Sequence, residues 1–314
     1  MPTDPITQKL MYKIARAYYE DNLTHQEIGE RFGLSRIKVG RLLEKARKEK
    51  LVQITIQEPK IDADIELENA IEKKYHVDEV ILVPRYTEHR RTLRAIGQAT
   101  ADFLDRIIVG DEVVGLTWGG TLLAVVDALH SNNWPGMKVV QLLGGLGSPE
   151  ADMYAADLTI RMAQSFGAKA RLLSAPGIVS SKEICDALLQ DQQIKETLEL
   201  GCKADIGLIG LGRPTSSSPV IRAGILTPSE LAELEQQGAV GDMGLRFMDS
   251  KGEAIHNEIN DRIIGLNFEQ FKEIKKLVGI AAGPEKFEVV KASLMGNLLS
   301  VLITDSDIGK RLVE

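Results

Sequence analysis

Residues 23–46 read LTHQEIGERFGLSRIKVGRLLEKA, and the order of caps, glycine and charge in them organises the first fifty residues. Thr24 with Glu27 three positions later is a capping box, in which each side chain satisfies a backbone N–H that a helix start leaves free. The helix it opens, THQEIGERF, is short. Gly33 follows it and accepts the left-handed backbone that ends a helix. Ser35 then caps a third helix, SRIKVGRLLEKARKEK. Ahead of these, residues 6–20 place Leu10, Ile14, Ala17 and Tyr18 on one helical face, until Asp21-Asn22 breaks the pattern. A short helix, a glycine turn and a longer basic helix form a helix-turn-helix, with Ile28, Leu34, Val39, Leu42 and Leu43 as its expected core.

The third helix turns cations outward. In a helix-turn-helix the first residues of the second motif helix reach base edges in the major groove, and later ones meet phosphates. Ser35, Arg36, Ile37 and Lys38 are therefore expected near bases, and Arg41 and Lys45 on the DNA backbone. A helical cap with a solvated basic face would share the charge but not the order of caps and turn. Gly40 is unusual here, since glycine in mid-helix costs about 1 kcal/mol relative to alanine; it suits a close approach of the helix to its neighbour or to DNA. Beyond Lys50, Val52, Ile54 and Ile56 alternate with polar residues, which predicts a short strand in the position of a wing. Residues 60–75 read as a charged linker or dimer-contact helix. The boundary falls at Pro59, giving a DNA-binding domain over 1–58 and a larger domain over 59–314.

Charge follows that division. Residues 1–50 hold 11 Lys and Arg against 7 Asp and Glu, while the remainder holds 27 against 38. A basic head on an acidic body points to a polyanion for the head alone. No run of 18 residues is free of charge and no charged-then-apolar leader opens the chain, so a cytoplasmic protein with no membrane partner is expected. Cys185 and Cys202 lie far apart, which suits free thiols in a reducing compartment. His25, His76, His89, His130 and His256 are scattered without ligand spacing, so neither metal nor cofactor is expected.

From residue 79 apolar runs alternate with amphipathic helices. Strands are predicted at 79–84, 112–118, 138–143, 169–174, 205–211, 276–281 and 298–304. Helices are predicted at 91–107, 120–130, 151–166, 181–200, 228–237, 285–296 and 306–313. The alternation predicts an α/β, Rossmann-like domain with a mostly parallel sheet covered on both faces. Ligands of such sheets bind at the carboxyl ends of the strands. Glycines cluster there: LTWGGT (116–121), QLLGGLGS (141–148), SAPG (174–177), GLIGLGRP (207–214) and AAGPEK (281–286). Glycine at a strand-to-helix turn lets backbone N–H groups approach an anion. Lys286 near a helix start adds a point charge suited to phosphate, and Asp242, in a loop GAVGDM (238–243), is an acceptor for sugar hydroxyls. No G-x-G-x-x-G run with an acidic residue about 20 positions later stands in the required strand–helix context, and no P-loop appears.

With these residues assembled, the chain resembles the SorC family, or SorC/DeoR group, of bacterial sugar-sensing regulators over nearly its whole length. The resemblance rests on residues 23–46, VGDEVVGLTWGGTL (109–122), VVQLLGGLGS (139–148), ADIGLIGLG (204–212), GAVGDMGLRFMDSKG (238–252) and GIAAGPEK…LLSVLITD (279–305). It implies a sensor domain similar in fold to sugar-phosphate isomerases and glucosamine-phosphate deaminases, without their catalysis. It implies a phosphorylated sugar or sugar-alcohol effector and a homodimer or homotetramer on operator DNA. Carried onto this chain, it places phosphate near Gly119, Gly120 and Thr121, Trp118 beside the ligand, and Asp242 and Lys286 on its polar groups; Gly144 and Gly145 join the expected effector set from the second glycine-rich strand end. Gly40 stands where the family commonly has serine, and Leu143 closes a strand whose only lysine is Lys138 at its start, so reversible binding is expected rather than an imine. The alternative is a sugar-phosphate isomerase or deaminase with an accessory N-terminal domain, since fold alone does not fix function.

Overall fold

The computed structural model describes residues 4–54, 64–145, 149–213, 215, 221, 224 and 226–314, with the backbone alone for 149–154. Its chain divides into two compact units, Met1–Asp62 and Ala63–Glu314.

In the first unit α1 (Pro5–Tyr19) begins at Asp4, whose carboxylate accepts from the Thr7 N–H at 3.2 Å. α2 (His25–Phe32) carries the capping box in full: Glu27 N–H donates to Thr24 Oγ1, and Thr24 N–H to the Glu27 carboxylate. Gly33 ends it in the left-handed region at φ 67°. Ser35 caps α3 (Arg36–Lys48) by accepting from Lys38 N–H. Ile14, Ala15, Ala17, Ile28, Val39 and Leu43 form the core, with Leu10, Leu34 and Leu42 packed against it. Tyr18, placed on the apolar face from the sequence, is 37% exposed, and Met11 fills the interior instead. Periodicity could not separate them, because positions 11 and 18 repeat on the same helical stripe. Among the described residues Gly40 makes no tight contact: a Cβ there would meet the His25 ring at 3.7 Å, an ordinary separation. Packing within this unit therefore does not require glycine. The wing strand does not form over the described residues 51–54, where Val52 packs on the helices and Ile54 is exposed. Residues 55–63, for which the sequence predicts the rest of that strand and the start of the 60–75 helix, lie outside the described residues.

The second unit opens with α4 (Ile65–Tyr75) and a seven-stranded parallel sheet. Its strands are β1 (Glu79–Val83), β2 (Val113–Leu116), β3 (Lys138–Gln141), β4 (Lys169–Arg171), β5 (Ile206–Gly212), β8 (Lys276–Ile280) and β9 (Val301–Asp305), in the spatial order β1-β9-β8-β5-β2-β3-β4. One core face packs α5 (His89–Ile107), α6 (Gly120–Ala128) and α7 (Pro149–Ser165) through Ile96, Phe103, Leu122 and Met162. The other packs α4, α8 (Lys182–Leu189), α9 (Gln192–Cys202) and the helices Phe287–Met295 and Ser306–Val313 through Ile71, Ile194, Val290 and Ile308. Both faces are covered, which is why the strands read as nearly continuous apolar runs.

The chain winds outward from β2 through β3 and β4, returns to β5, and winds the other way through β8 and β9. β2 and β5 are therefore the neighbours at which the winding reverses. Their register pairs Leu116 with Leu208. A crevice opens outside their carboxyl ends, where doubly wound sheets hold ligands.

Two expectations are corrected here. Residues 181–200 form two helices because Asp191 caps a new start, accepting from the N–H groups of Gln193 and Ile194. Asp242 lies on a strand and not in a loop: β6 (Gly241–Met243) and β7 (Arg246–Met248) form an antiparallel hairpin whose first strand pairs with the end of β5. Its turn is Gly244-Leu245, with φ values of 59° and 62°. A two-residue hairpin turn of this hand needs both residues left-handed, and leucine gives no hint of that conformation in a sequence.

Candidate functional site

The crevice between β2 and β5 is a pocket of about 150 Å³. Strand β2 runs into Thr117, Trp118 and Gly119, and α6 starts at Gly120. Gly119 has φ 139°, a backbone that side chains rarely adopt. Among the described residues no side chain caps this helix start, and none stands within 4 Å of where a Cβ of Gly119 or Gly120 would sit. Among the described residues the first N–H groups of α6 are thus left without a capping partner at the positive end of the helix. The Thr117 hydroxyl is buried against the same pocket and has no hydrogen-bond partner among the described residues. A buried hydroxyl without a partner costs free energy, and a ligand oxygen would supply one.

Opposite these donors stands the hairpin. Gly212 of β5 pairs with Asp242 of β6, and a Cβ on Gly212 would lie 2.1 Å from the Asp242 carboxylate, so the acid takes its place only because residue 212 is glycine. The Leu245 N–H donates to Asp242 Oδ2 at 3.1 Å and fixes its orientation. Burial raises the Asp242 carboxyl above the usual range; the Lys286 charge and the Leu245 N–H act against that rise. Burial likewise lowers the Lys286 ammonium, reinforced by the Arg213 charge and opposed by Asp242 and Glu285. Lys286 reaches the pocket from the short turn Pro284–Lys286, which follows β8. Among the described residues neither Lys286 nor Arg213 forms an ion pair within 4 Å, although both line the pocket. Two cations, a helix start and a spare hydroxyl converge with one carboxylate.

Six of the residues singled out from sequence come together here: Trp118, Gly119, Gly120, Thr121, Asp242 and Lys286. Gly144 and Gly145 do not line the pocket, and their backbone N–H groups are already spent, on Ile264 O at 3.0 Å and Ala175 O at 2.9 Å. Gly144 stands behind the wall, where its carbonyl accepts the Trp118 indole N–H at 3.1 Å. It is glycine because a Cβ would meet Pro176 O at 2.5 Å. Arg213, Gly210, Leu143 and Leu245 also line the pocket and were not singled out. Arg213 was visible in GLIGLGRP as a cation one residue past a strand end, whereas Leu245 carried no cue.

In the first unit, Ser35 at the cap of α3 and Arg36, Ile37, Lys38, Arg41 and Lys45 along it are all exposed. Lys45 pairs with Glu49 at 3.6 Å, a surface contact of little energy that a phosphate would replace. Among the described residues no helix is long and apolar enough to cross a membrane, and no group of three or more His, Cys, Asp or Glu could hold a metal ion.

Residues 59–314 match the family described as "Putative sugar-binding domain", and residues 13–49 match sigma-70 region 4, a helix-turn-helix. The chain belongs to the SorC family of sugar-binding transcriptional regulators. It is 30% identical over 311 residues to the deoxyribonucleoside regulator of Bacillus subtilis strain 168, covering 98% of each chain. It is 28% identical over 309 residues to the erythritol catabolism regulatory protein EryD of Brucella abortus, covering 97% of this chain and 96% of that one. The crystal structure of the full-length sorbitol operon regulator SorC from Klebsiella pneumoniae shares the fold, with a TM-score of 0.74 at 23% identity, covering 98% of this chain and 99% of that one. Membership of this family makes the protein a DNA-binding transcriptional regulator with a sugar-binding domain, and sets aside the isomerase or deaminase reading.

Proposed function

We propose that this regulator controls a carbohydrate-utilisation operon and that a phosphorylated sugar or sugar alcohol, bound in the β2–β5 crevice, sets its affinity for operator DNA. The observation that carries this reading is the convergence on one helix start of Lys286 and Arg213, neither in an ion pair among the described residues, beside Gly119 and Gly120 whose Cβ positions no described residue fills. Phosphate suits that set: lysine and arginine supply charge, and the N–H groups of α6 supply donors along its dipole. Asp242 and Thr117 then serve the hydroxyls, and Trp118 forms an apolar wall. The names of the relatives, for a deoxyribonucleoside, erythritol and sorbitol, support a polyhydroxylated ligand.

At the DNA, Ser35, Arg36, Ile37 and Lys38 face base edges and Arg41 and Lys45 face phosphates. Such helices read paired half-sites, so the acting species is a homodimer or homotetramer in the cytoplasm. The division between the DNA-binding and sensing parts falls near residue 59.

A thermal-shift screen of sugars, sugar alcohols and their phosphates tests the effector reading. A ligand of the folded state at a hundred times its Kd adds about 2.7 kcal/mol. One phosphorylated compound is expected to raise the midpoint while its unphosphorylated form does not. Stabilisation by the unphosphorylated compound alone would remove phosphate from the crevice.

A further inference from the structure

Ile37 is the second residue of α3, and its side chain is 70% exposed. The buried side of this helix is Val39, Leu43 and Ala46, and among the described residues of its unit Ile37 belongs to no core cluster. One exposed aliphatic side chain is ordinary on a protein surface. Its surroundings are not: Arg36 and Lys38 flank it, Arg41 lies one turn on along the same face, and all three are exposed. An apolar group with a cation on either side of it in sequence and a third one turn on does not suit an apolar protein surface, because covering that stretch would desolvate the charges. It does suit the major groove, where phosphates line both rims and the apolar feature among the base edges is the C5-methyl of thymine. The β-branched side chain is also stiff within a helix, so little rotamer freedom is lost on contact.

We propose that Ile37 is a specificity-determining residue that packs on the C5-methyl of one thymine in each operator half-site. The proposal rests on α3 being the helix that enters the major groove. It assigns selection at that base pair to apolar contact and leaves attraction to Arg36, Lys38 and Arg41.

The test uses the full chain and a duplex enriched by it from a random library, with each thymine replaced in turn by uracil, which deletes the methyl group alone. One position per half-site is expected to lose about fourfold in affinity, the worth of burying one such carbon. The slope of log affinity against log salt should not change, because no phosphate contact is touched. Ile37→Ala should bind the thymine and uracil duplexes equally at that position, and Ile37→Val should keep most of the difference. A thymine preference that survives unchanged in Ile37→Ala, or a wild-type protein indifferent to every uracil, overturns the proposal and leaves α3 in the groove. Failure to enrich any duplex overturns both.

Discussion

Replacing Arg246 by methionine is expected to destabilise the sensing unit by about 3–5 kcal/mol, the cost of removing one side of a buried charged hydrogen-bond set. Arg246 stands on β7 and donates to four backbone carbonyls: Leu266 O at 3.2 Å, Asn260 O, Ile263 O at 3.0 Å and Gly265 O at 3.1 Å. Burial lowers its pKa to about 10, which leaves it charged at neutral pH. The carbonyls it holds belong to a segment that is itself woven into the pocket wall. Leu266 N–H donates to Leu142 O, and Gly144 N–H to Ile264 O; Gly144 in turn holds the Trp118 indole. Methionine fills the volume but strands the carbonyls. For a unit of this size the midpoint should fall by about 10 °C in thermal denaturation. Arg246→Lys should recover only part of the loss, because a single ammonium cannot span a fork of four acceptors. An unchanged midpoint in Arg246→Met would show that these carbonyls find other partners without cost.

Lys286→Met is expected to weaken effector binding about 10- to 100-fold, the worth of one charge-assisted hydrogen bond, while operator affinity without effector stays as in the wild type. Methionine keeps the stem and deletes the charge. Titration of the protein with the phosphorylated compound, followed by calorimetry, measures the change. pH gives a second reading of the same residue. Burial lowers the folded-state pKa of Lys286 below that of the unfolded chain. The free protein therefore gains stability from this group as pH rises from the lowered value towards the ordinary lysine value, where the unfolded state still holds the proton. Effector binding has the opposite dependence: a phosphate needs the ammonium charged, so affinity falls as pH rises through the folded-state pKa. In Lys286→Met this fall should flatten. A steep fall that persists in the variant would show that a group other than Lys286 carries the pH dependence.

The parts of this molecule that sequence conveyed are those set by local chemistry. Thr24, Glu27, Gly33 and Ser35 announce the ends of α2 and α3 because capping and left-handed turns depend on a few adjacent residues. The seven parallel strands were legible because strands covered on both faces are apolar runs between amphipathic helices. What stayed hidden depends on distant partners. The β6–β7 hairpin turns on Leu245 in a left-handed conformation, which no leucine advertises. Gly144 looked like Gly119, since both are glycines at strand ends. Only the fold shows that Gly144 N–H is spent on Ile264 O, 120 positions away in sequence, while no described residue fills the helix start beside Gly119. Arg246 drew no attention at all, because the four carbonyls it binds lie 14 to 20 positions beyond it.

Operator affinity should be measured by fluorescence anisotropy on the enriched duplex, with and without the phosphorylated compound that stabilises the protein. Coupling between the two sites predicts a change of about 5- to 150-fold in the duplex Kd. Because linkage is reciprocal, the duplex must change the affinity for the compound by the same factor. The unphosphorylated sugar should leave the duplex Kd where it was. A compound that binds the crevice, is lost in Lys286→Met, and yet leaves the duplex Kd unchanged would contradict effector control of DNA binding.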